Sequence, residues 1–194
     1  MSIPTQVIDW ESRYRAGTTG WQRPALNPAC AAWIADGTLT PGRILVPGAG
    51  RSAEPLALAG AGFTVTVVDA APSAIEFQQQ QLAPAGGQAV CADLFTWQPE
   101  RPFDAIYEQT CLCALPPALW DAYAARLAGW LRPGGMLAAL FLQTGREGGP
   151  PFHCDLARMR ALFPAAIWAW PSELPAQVSH PSGVSEQPVA LRRG

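Results

Sequence analysis

The sequence predicts an α/β protein of the doubly wound, Rossmann-like kind, in which a mostly parallel sheet carries helices on both faces. Apolar runs of strand length alternate along the 194 residues with stretches of helical spacing. Residues 43–69 add a complete βαβ unit with a glycine-rich turn. Because parallel strands need a crossover connection, which is usually a helix, this alternation favours a parallel sheet with short right-handed crossovers.

The βαβ unit gives the clearest elements. Residues 43–46 predict a buried strand, residues 47–50 a turn, residues 52–61 a helix, and residues 63–68 a β-branched strand that ends at Asp69. The glycine turn lies where the first strand meets the helix, which is a common place for ligand binding in such folds.

The rest of the chain continues the alternation. The sequence predicts helices at residues 72–82, 117–131 and 155–163, and strands at residues 86–95, 103–110, 134–143, 165–170 and near 187–191. The turn RPGG introduces the strand at 134–143. A loop rich in proline and serine joins the last two strands, and a loop near strand ends can form part of a substrate pocket.

The glycine turn indicates a ligand that contains an unphosphorylated ribose. Gly48 and Gly50 lack the Cβ atoms that would keep a ligand off the backbone, and the helix start presents free N–H groups. Asp69 follows about 20 residues later, where a carboxylate accepts hydrogen bonds from both ribose hydroxyls. With Ala53 in the last place, the pattern also fits the dinucleotide fingerprint. NAD, S-adenosylmethionine and a turn without a ligand all remain open at this point.

The carboxyl ends of two other strands offer further candidates, because ligands of doubly wound sheets lie beyond these ends. Asp93 and Leu94 follow the third strand and are placed to hold the adenine amino group and face. Gln109 follows the fourth strand and is placed to reach the reacting end of the ligand, and Glu108 and Asp93 are candidate general bases. An aspartate after a strand is also a common turn residue, so the joint pattern carries the prediction.

Three aromatic residues precede the first strand. Trp10 and Tyr14 are spaced to share a helix face, and Trp21 follows them. They either pack this segment onto the sheet or close over a ligand. An aromatic face beside a desolvated cation contributes about 1–2 kcal/mol, which gives a sulfonium ligand a reason for such a cover that NAD lacks.

Composition argues against several partners and chemistries. The net charge of −2 and the pI near 5.6 provide no electrostatic footprint for nucleic acid or an anionic membrane. The N-terminus has no basic-then-apolar signal and the apolar run MLAALFL is shorter than a membrane span, so we expect a cytoplasmic protein. All 13 basic residues are arginine, which excludes a phosphate loop, a Schiff-base mechanism and a Tyr-x-x-x-Lys dehydrogenase.

The cysteines do not predict a metal site. The five cysteines lack paired C-x-x-C spacing, and the chain has two histidines that could join them. Cys111 and Cys113 alternate on a predicted strand end, where buried cysteines act as small hydrophobic residues. We therefore expect no bound metal.

Seven segments resemble one family. They are, in chain order, WESRYRAGTTGWQ, LVPGAGRSAE, VVDAAPSAI, ADLF, FDAIYEQTCLCALPP, LRPGG and GREGGPPF, and the resemblance extends from about residue 8 to residue 163. LRPGG occurs in many methyltransferases, whereas the tryptophan-rich start, CALPP and GGPPF are more specific. Together the segments resemble the thiopurine methyltransferase family of S-adenosylmethionine-dependent enzymes and its bacterial and plant thiol and halide methyltransferase relatives.

The resemblance implies a fold, a domain organisation and a set of contacts. The fold is that of class I S-adenosylmethionine-dependent methyltransferases, with seven strands of which the last is antiparallel. One domain is expected over residues 1–194, in which residues 1–40 form a helical cover over the cofactor and residues 41–194 the sheet core. Together with the glycine turn, the resemblance predicts contacts to S-adenosylmethionine from Trp10, Tyr14, Trp21, Gly48, Gly50, Asp69, Asp93, Leu94 and Gln109. Trp21 and Gln109 are also expected to border the methyl acceptor.

The implied function is methyl transfer from S-adenosylmethionine, leaving S-adenosylhomocysteine, to a small soft nucleophile by a monomeric enzyme. The acceptor classes are thiols, thiopurines, selenium compounds and halides, and no catalytic residue is assigned because in-line displacement depends on alignment more than on a base. Gln109 stands where relatives carry arginine or tyrosine, so the resemblance does not identify the acceptor. The alternatives are a methyltransferase of an unrelated small molecule, a non-catalytic S-adenosylmethionine-binding protein and an NAD-dependent reductase.

Overall fold

The computed structural model describes residues 8–194, and the first seven residues of the predicted N-terminal cover lie outside this range. Two short helices open the described chain, α1 (Trp10–Arg15) and α2 (Pro28–Ala35). The side chains of Asp9 and Asn27 accept hydrogen bonds from backbone N–H groups of the first turns. These caps satisfy donors that no helical carbonyl reaches, so both helices begin where the sequence supplies a cap.

Within residues 8–194 the sheet has eight strands and the remaining part of the chain has four more helices. The strands are β1 (Arg43–Pro47), β2 (Thr64–Asp69), β3 (Gln88–Cys91), β4 (Phe103–Gln109), β5 (Leu131–Gln143), β6 (Trp168–Ala169), β7 (Val178–Ser179) and β8 (Ser185–Arg193). The helices are α3 (Glu54–Gly60), α4 (Pro72–Leu82), α5 (Trp120–Trp130) and α6 (Leu156–Leu162). From β1 to α6 strands and helices alternate as predicted, except that β4 follows β3 without a helix between them.

The strand order determines where a ligand can bind. It is β3-β2-β1-β4-β5-β8-β6, and β7 pairs with β8 beside this path. The first five strands are parallel to their neighbours, whereas β8 runs antiparallel to β5. The predicted doubly wound sheet with an antiparallel last strand is confirmed. Because the order reverses between β1 and β4, the carboxyl ends of these two strands flank the crevice in which such folds bind ligands.

The sheet has eight strands rather than the seven expected. The additional strand is β7, a two-residue segment in the proline- and serine-rich loop, which the sequence does not predict because two residues show no periodicity. Val178 forms a strand because it lies opposite Glu186 in β8. Tertiary pairing with a long neighbour therefore decides this element.

The segment RPGG also differs from the prediction, because it lies inside β5 and not in a turn before it. Leu131 lies opposite Phe103, and pairing resumes where Met136 lies opposite Ala105, with a register shift between them. The extra residues form a bulge in which Gly134 has a φ of +74°, a conformation that glycine adopts without strain.

Helices cover both faces of the sheet. Ile44 and Val46 of β1 point towards one face, where α2, α3 and α4 pack, and Leu45 points towards the other, where α5 and α6 pack. All three side chains are buried. This alternation explains why β1 is a continuous apolar run in the sequence, as expected for a strand that is covered on both sides.

Two glycine-to-alanine substitutions, one in the bulge and one in α5, should change the stability of the fold in opposite directions. In Gly135→Ala the new Cβ would lie 2.8 Å from the Arg132 carbonyl oxygen and 3.1 Å from that of Asp104, so the backbone must move. We expect a loss of about 1–3 kcal/mol in the free energy of unfolding. Gly129→Ala, at an exposed position of α5 where a Cβ meets nothing within 4 Å, should gain about 0.5–1 kcal/mol. Denaturant unfolding measures both, and a destabilised Gly129→Ala or an unaffected Gly135→Ala would contradict this account.

Candidate functional site

A cavity of about 490 Å³ lies beyond the carboxyl ends of β1, β2 and β4. Its size falls in the range of about 300–1,000 Å³ that is typical of small-molecule sites. Seven of the nine predicted cofactor residues line it: Trp10, Tyr14, Trp21, Gly48, Asp69, Asp93 and Leu94. These residues come from four separate stretches of the chain, so the tertiary fold brings them to one place. The other two, Gly50 and Gln109, do not line this cavity.

Asp69 is held by the backbone with acceptor positions to spare. It ends β2 and is 8% exposed. Its Oδ2 accepts a hydrogen bond from the Gly50 N–H at 2.9 Å, and its Oδ1 accepts one from the Ala71 N–H at 2.8 Å. Burial raises the pKa of Asp69, and these backbone bonds oppose the shift. Since each carboxylate oxygen has two acceptor positions, each retains one for a ligand hydroxyl.

The two glycines of the turn also allow other side chains of the protein to pack closely against the backbone. Gly48 has a φ of +57°, and a Cβ there would lie 2.7 Å from the Sγ of Cys111. Gly50 has a φ of +55°, and a Cβ there would collide with the hydroxyl of Tyr14. Gly48 therefore borders the cavity and leaves space for the side chain of Cys111. Gly50 leaves space for the hydroxyl of Tyr14, and its backbone N–H donates to Asp69.

Trp10, Tyr14 and Trp21 form one side of the cavity, which we call the aromatic wall. The ring centroids of Trp10 and Trp21 are 5.5 Å apart and those of Tyr14 and Trp21 are 5.8 Å apart, both in edge-to-face geometry. Glu11 fixes α1 to the start of α4, because its carboxylate accepts hydrogen bonds from the Ser73 N–H at 3.0 Å and hydroxyl at 2.8 Å. These contacts hold the wall in place against α4.

The N-terminal cover divides into two parts. Of its described residues, those that line the cavity all lie between Trp10 and Trp21. Helix α2 instead contributes Cys30 and Trp33 to the core beside β1. The first part faces the cavity, and the second anchors it to the sheet.

Asp93 and Leu94 combine a turn with the cavity wall. Asp93 follows β3, and its exposed side chain accepts a hydrogen bond from the Phe95 N–H at 2.8 Å. Leu94 is 9% exposed and packs in the core. The local role of Asp93 is therefore that of a turn residue, while both residues border the cavity.

Gln109 lies in a buried polar network beside a second, smaller cavity of about 30 Å³. Its Nε2 donates to Glu186 at 3.2 Å, and its Oε1 accepts from the Tyr107 hydroxyl at 2.8 Å. Glu186 also accepts hydrogen bonds from Arg23 at 2.8 Å and Asn27 at 2.9 Å. Both polar ends of the Gln109 amide are thus occupied by protein partners.

Cys111 and Cys113 do not lie on a strand end as predicted, because β4 stops at Gln109. Cys113 lies in a short 3-10 turn, Leu112–Ala114, and Cys111 directly precedes this turn. Both line the cavity and are buried. Burial raises the pKa of both thiols above the ordinary value, so they stay protonated at neutral pH. The expectation that they are buried cysteines is confirmed.

Glu108, a candidate base, is not among the residues that line the cavity. Its side chain is 2% exposed, and its Oε1 accepts a hydrogen bond from the Leu112 N–H at 2.7 Å. Burial raises the pKa of Glu108 to about 7, and the nearby Glu186 adds to this shift. Its contacts stabilise the turn after β4.

Sequence reasoning does not single out several lining residues. Among them are Arg13, Thr18, Leu115, Leu142, Pro150, Pro151, His180 and Ser182. Thr110 has a φ of +58°, which is uncommon for a residue other than glycine and marks the end of β4 as constrained. His180 and Ser182 belong to the proline- and serine-rich loop, which the sequence does predict as part of a pocket.

Two absences are reported for the part of the chain that the structure describes. Within residues 8–194 no group of three histidine, cysteine, aspartate or glutamate side chains is arranged to hold a metal ion. In the same range no helix has the length and apolar character needed to cross a membrane.

The raised pKa of Glu108 predicts a pH-dependent stability. Below about pH 4.5 the Glu108 carboxyl is neutral in both the folded and the unfolded state. As the pH rises from there to about 7, the carboxyl ionises in the unfolded state but not in the folded state, so the free energy of unfolding falls. The loss reaches about 3 kcal/mol above pH 7. Glu108→Gln keeps an acceptor for Leu112 without this penalty, so its stability relative to the unmodified protein should rise between pH 5 and pH 8.

Urea unfolding at both pH values measures this difference, with the exposed Glu76→Gln as the control. If the profiles of Glu108→Gln and the unmodified protein run parallel, Glu108 does not titrate as described.

Comparison with known proteins identifies the family. The family model described as thiopurine S-methyltransferase matches residues 5–177. The chain is 31% identical over 166 residues to a probable thiol methyltransferase 2 of Arabidopsis thaliana, covering 82% of this chain and 74% of that protein. It is 32% identical over 174 residues to a thiopurine S-methyltransferase of Azotobacter vinelandii, covering 79% of this chain and 80% of the relative.

Solved structures share the fold. A 1,6-didemethyltoxoflavin-N1-methyltransferase of Burkholderia thailandensis, with bound 1,6-didemethyltoxoflavin and S-adenosylhomocysteine, superposes with a TM-score of 0.77 at 23% identity over 95% of this chain and 85% of that one. A magnesium protoporphyrin IX methyltransferase of Synechocystis with bound S-adenosylmethionine gives 0.69 at 16% identity over 100% and 87%. The chain therefore belongs to the thiopurine S-methyltransferase family and is an S-adenosylmethionine-dependent methyltransferase.

Proposed function

We propose that this enzyme moves the methyl group of S-adenosylmethionine to a small soft nucleophile, such as a thiol, thiopurine, selenium compound or halide, inside the 490 Å³ cavity. One observation carries the proposal: seven residues predicted from four separate stretches of sequence line a single cavity at the switch point of the sheet. The family membership of the chain supports the same reaction.

The carboxyl ends of β1, β2 and β3 would hold the nucleoside. The free acceptor positions of Asp69 fit the two hydroxyls of an unphosphorylated ribose, and Gly48 allows the close approach of a ligand to the turn. Asp93 and Leu94 border the same space and fit the polar edge and the face of adenine. Gly50 would act through Asp69, to which its N–H donates.

The aromatic wall would face the positive charge of the cofactor. Trp10, Tyr14 and Trp21 line the cavity, and an aromatic face beside a desolvated cation contributes about 1–2 kcal/mol. Gln109 would not contact the cofactor directly, because its amide donates to Glu186 and does not line the 490 Å³ cavity. It lies with Tyr14 and Trp21 around the smaller cavity and would support the aromatic wall from that side. Its predicted contact with the acceptor therefore requires a change in its hydrogen bonds.

The bound cofactor supplies a methyl group on a positively charged sulfur. The residues that line the cavity would align a nucleophile with this group and exclude water, and alignment alone corresponds to effective molarities of about 10⁵–10⁸ M. Among the described lining residues Asp93 is the one carboxylate not buried, and the two cysteines are protonated. A nucleophile that is soft or already ionised needs no base, and this favours thiolates, selenides and halides.

A methyltransferase of an unrelated small molecule is the second candidate, and it is favoured by the amide of Gln109, which is occupied by Tyr107 and Glu186 and not free to border a soft acceptor. That the enzyme is monomeric, acts in the cytoplasm and binds neither nucleic acid nor membranes stays a prediction from its sequence. The same holds for a single domain with a cover formed by residues 1–40.

If the cavity binds S-adenosylmethionine, its product should raise the melting temperature of the protein and NAD should not. S-adenosylhomocysteine at about 100 times its dissociation constant should stabilise the fold by roughly 2.7 kcal/mol, whereas NAD should not. Release of S-adenosylhomocysteine should then rise on addition of at least one thiol, thiopurine, selenite or halide. A shift with NAD alone would contradict the assignment, and binding without any turnover would favour the non-catalytic alternative.

Substitutions of Asp69 should lower the affinity of the protein for S-adenosylhomocysteine. Asp69→Ala removes the acceptor of two ribose hydroxyls and should weaken S-adenosylhomocysteine binding by about 1.5–3 kcal/mol, measured by calorimetry. Asp69→Asn keeps one carbonyl oxygen and should lose less. Thermal melts without ligand separate a folding defect from lost binding, and the exposed Asp121→Ala serves as the control. Unchanged affinity in Asp69→Ala would remove Asp69 from the site.

A further inference from the structure

His180 lies in the turn between β7 and β8 and forms part of the cavity wall. It is 5% exposed. Its backbone N–H donates to the Val184 carbonyl at 2.8 Å, and the Arg23 guanidinium donates to the carbonyl of the preceding residue, Ser179. These contacts fix the backbone that carries the imidazole beside the cavity.

Ser182 determines which ring nitrogen of His180 carries the proton. The Ser182 backbone N–H donates to Nδ1 of His180 at 3.2 Å, and the Ser182 Oγ lies 2.7 Å from the same nitrogen. A nitrogen that accepts a hydrogen bond has no proton, so the neutral ring carries its proton on Nε2. Burial and the charge of Arg23 lower the pKa of His180 to about 4, so the ring is neutral at neutral pH.

The Nε2–H of His180 is a buried donor without a partner among residues 8–194. Buried polar groups are almost always paired, and an exception in a native structure calls for an explanation. His180 lines the cavity, but Nε2 itself has almost no exposed surface, so a ligand atom seated against that wall would reach this donor after a small displacement of the ring.

The strand order places His180 away from the side proposed for the nucleoside. Asp69 and Asp93 follow β2 and β3, whereas the turn with His180 leads into β8, beyond β4 and β5 in the sheet. Leu142, close to the end of β5 and paired with β8, lines the same side and is apolar. This part of the cavity thus combines apolar surface with the neutral donor of His180, beside the hydroxyl of Ser182.

We propose that His180 is the substrate-orienting residue of this enzyme: its Nε2–H donates a hydrogen bond to a lone pair on the methyl acceptor. The inference rests on the proposed function and names the acceptor class more closely. It is an organic thiol whose largely apolar body fits the wall and which bears a second, accepting atom besides its sulfur. Nε2 already carries its proton, so His180 positions this acceptor and does not deprotonate it.

The test compares thiophenol with its ortho, meta and para methoxy derivatives, because the ether oxygen adds a neutral acceptor to an otherwise matched ring. His180→Phe removes the donor and keeps apolar bulk, while His180→Gln retains an N–H near the position of Nε2. His153→Phe is the matched control, because His153 is the other histidine of the chain and does not line the cavity. The kcat/KM of each variant is measured for all four thiols.

For at least one methoxy isomer, His180→Phe should lower kcat/KM about 2- to 10-fold more than it does for thiophenol, the range that one neutral hydrogen bond provides. His180→Gln should recover most of this difference, and His153→Phe should show none. The ratio between thiols cancels differences in their own ionisation. Thermal shifts with S-adenosylhomocysteine should be the same in all variants.

An equal loss for all four thiols in His180→Phe, or a His180→Gln variant no better than His180→Phe, would overturn the inference and leave the proposed function intact. If the unmodified enzyme binds S-adenosylhomocysteine but methylates none of the four thiols, the thiol acceptor itself is wrong and the inference falls with it.

Discussion

The buried carboxylate of Glu186 connects the parts on which the cavity depends. It has no exposed surface and accepts hydrogen bonds from Arg23, Asn27 and Gln109. Arg23 also donates to the carbonyl of Ser179, one residue before the histidine of the cavity wall. Burial raises the pKa of Glu186, and Arg23 opposes that shift. Removing one partner of a buried ion pair lowers the free energy of unfolding by about 3–5 kcal/mol, so the loss of Arg23 or Glu186 would disturb all of these contacts.

This network explains how a short N-terminal segment can form a wall of the site. The segment is fixed at one end by Glu11, which bonds Ser73 of α4, and at the other by Asn27, whose backbone N–H donates to Glu54 of α3 at 2.9 Å. Tyr14 and Trp21 lie between these two attachments, and Trp10 is next to the first of them. The position of the aromatic wall depends on these polar contacts and on the apolar packing of Tyr14 against Ala71 and Ala74 at the start of α4.

The charges around the cavity differ from one side to the other. The side proposed for the nucleoside has the carboxylates of Asp69 and Asp93, and the protonated thiol of Cys111 lies against Gly48 on that side. The side near β8 has the neutral imidazole of His180. A protonated cysteine is a weak nucleophile, because the thiolate is the reactive form. The raised pKa values of Cys111 and Cys113 therefore allow two thiols to line a cavity for methyl transfer without competing with the acceptor.

The sequence by itself determined the order and type of most elements, because hydrophobic periodicity, caps and parallel strand ends are local features; α4 spans Pro72–Leu82, as predicted. The strand ends and the family resemblance together predicted seven of the residues that line the cavity. Tertiary structure decided the contacts between distant residues. Gln109 turns towards Glu186, which is 77 residues away, and Gly50 lies under Tyr14. The sequence could not place His180 either, because pairing with β8 sets the position of its turn. Such choices depend on strand register and side-chain packing, which no local pattern contains.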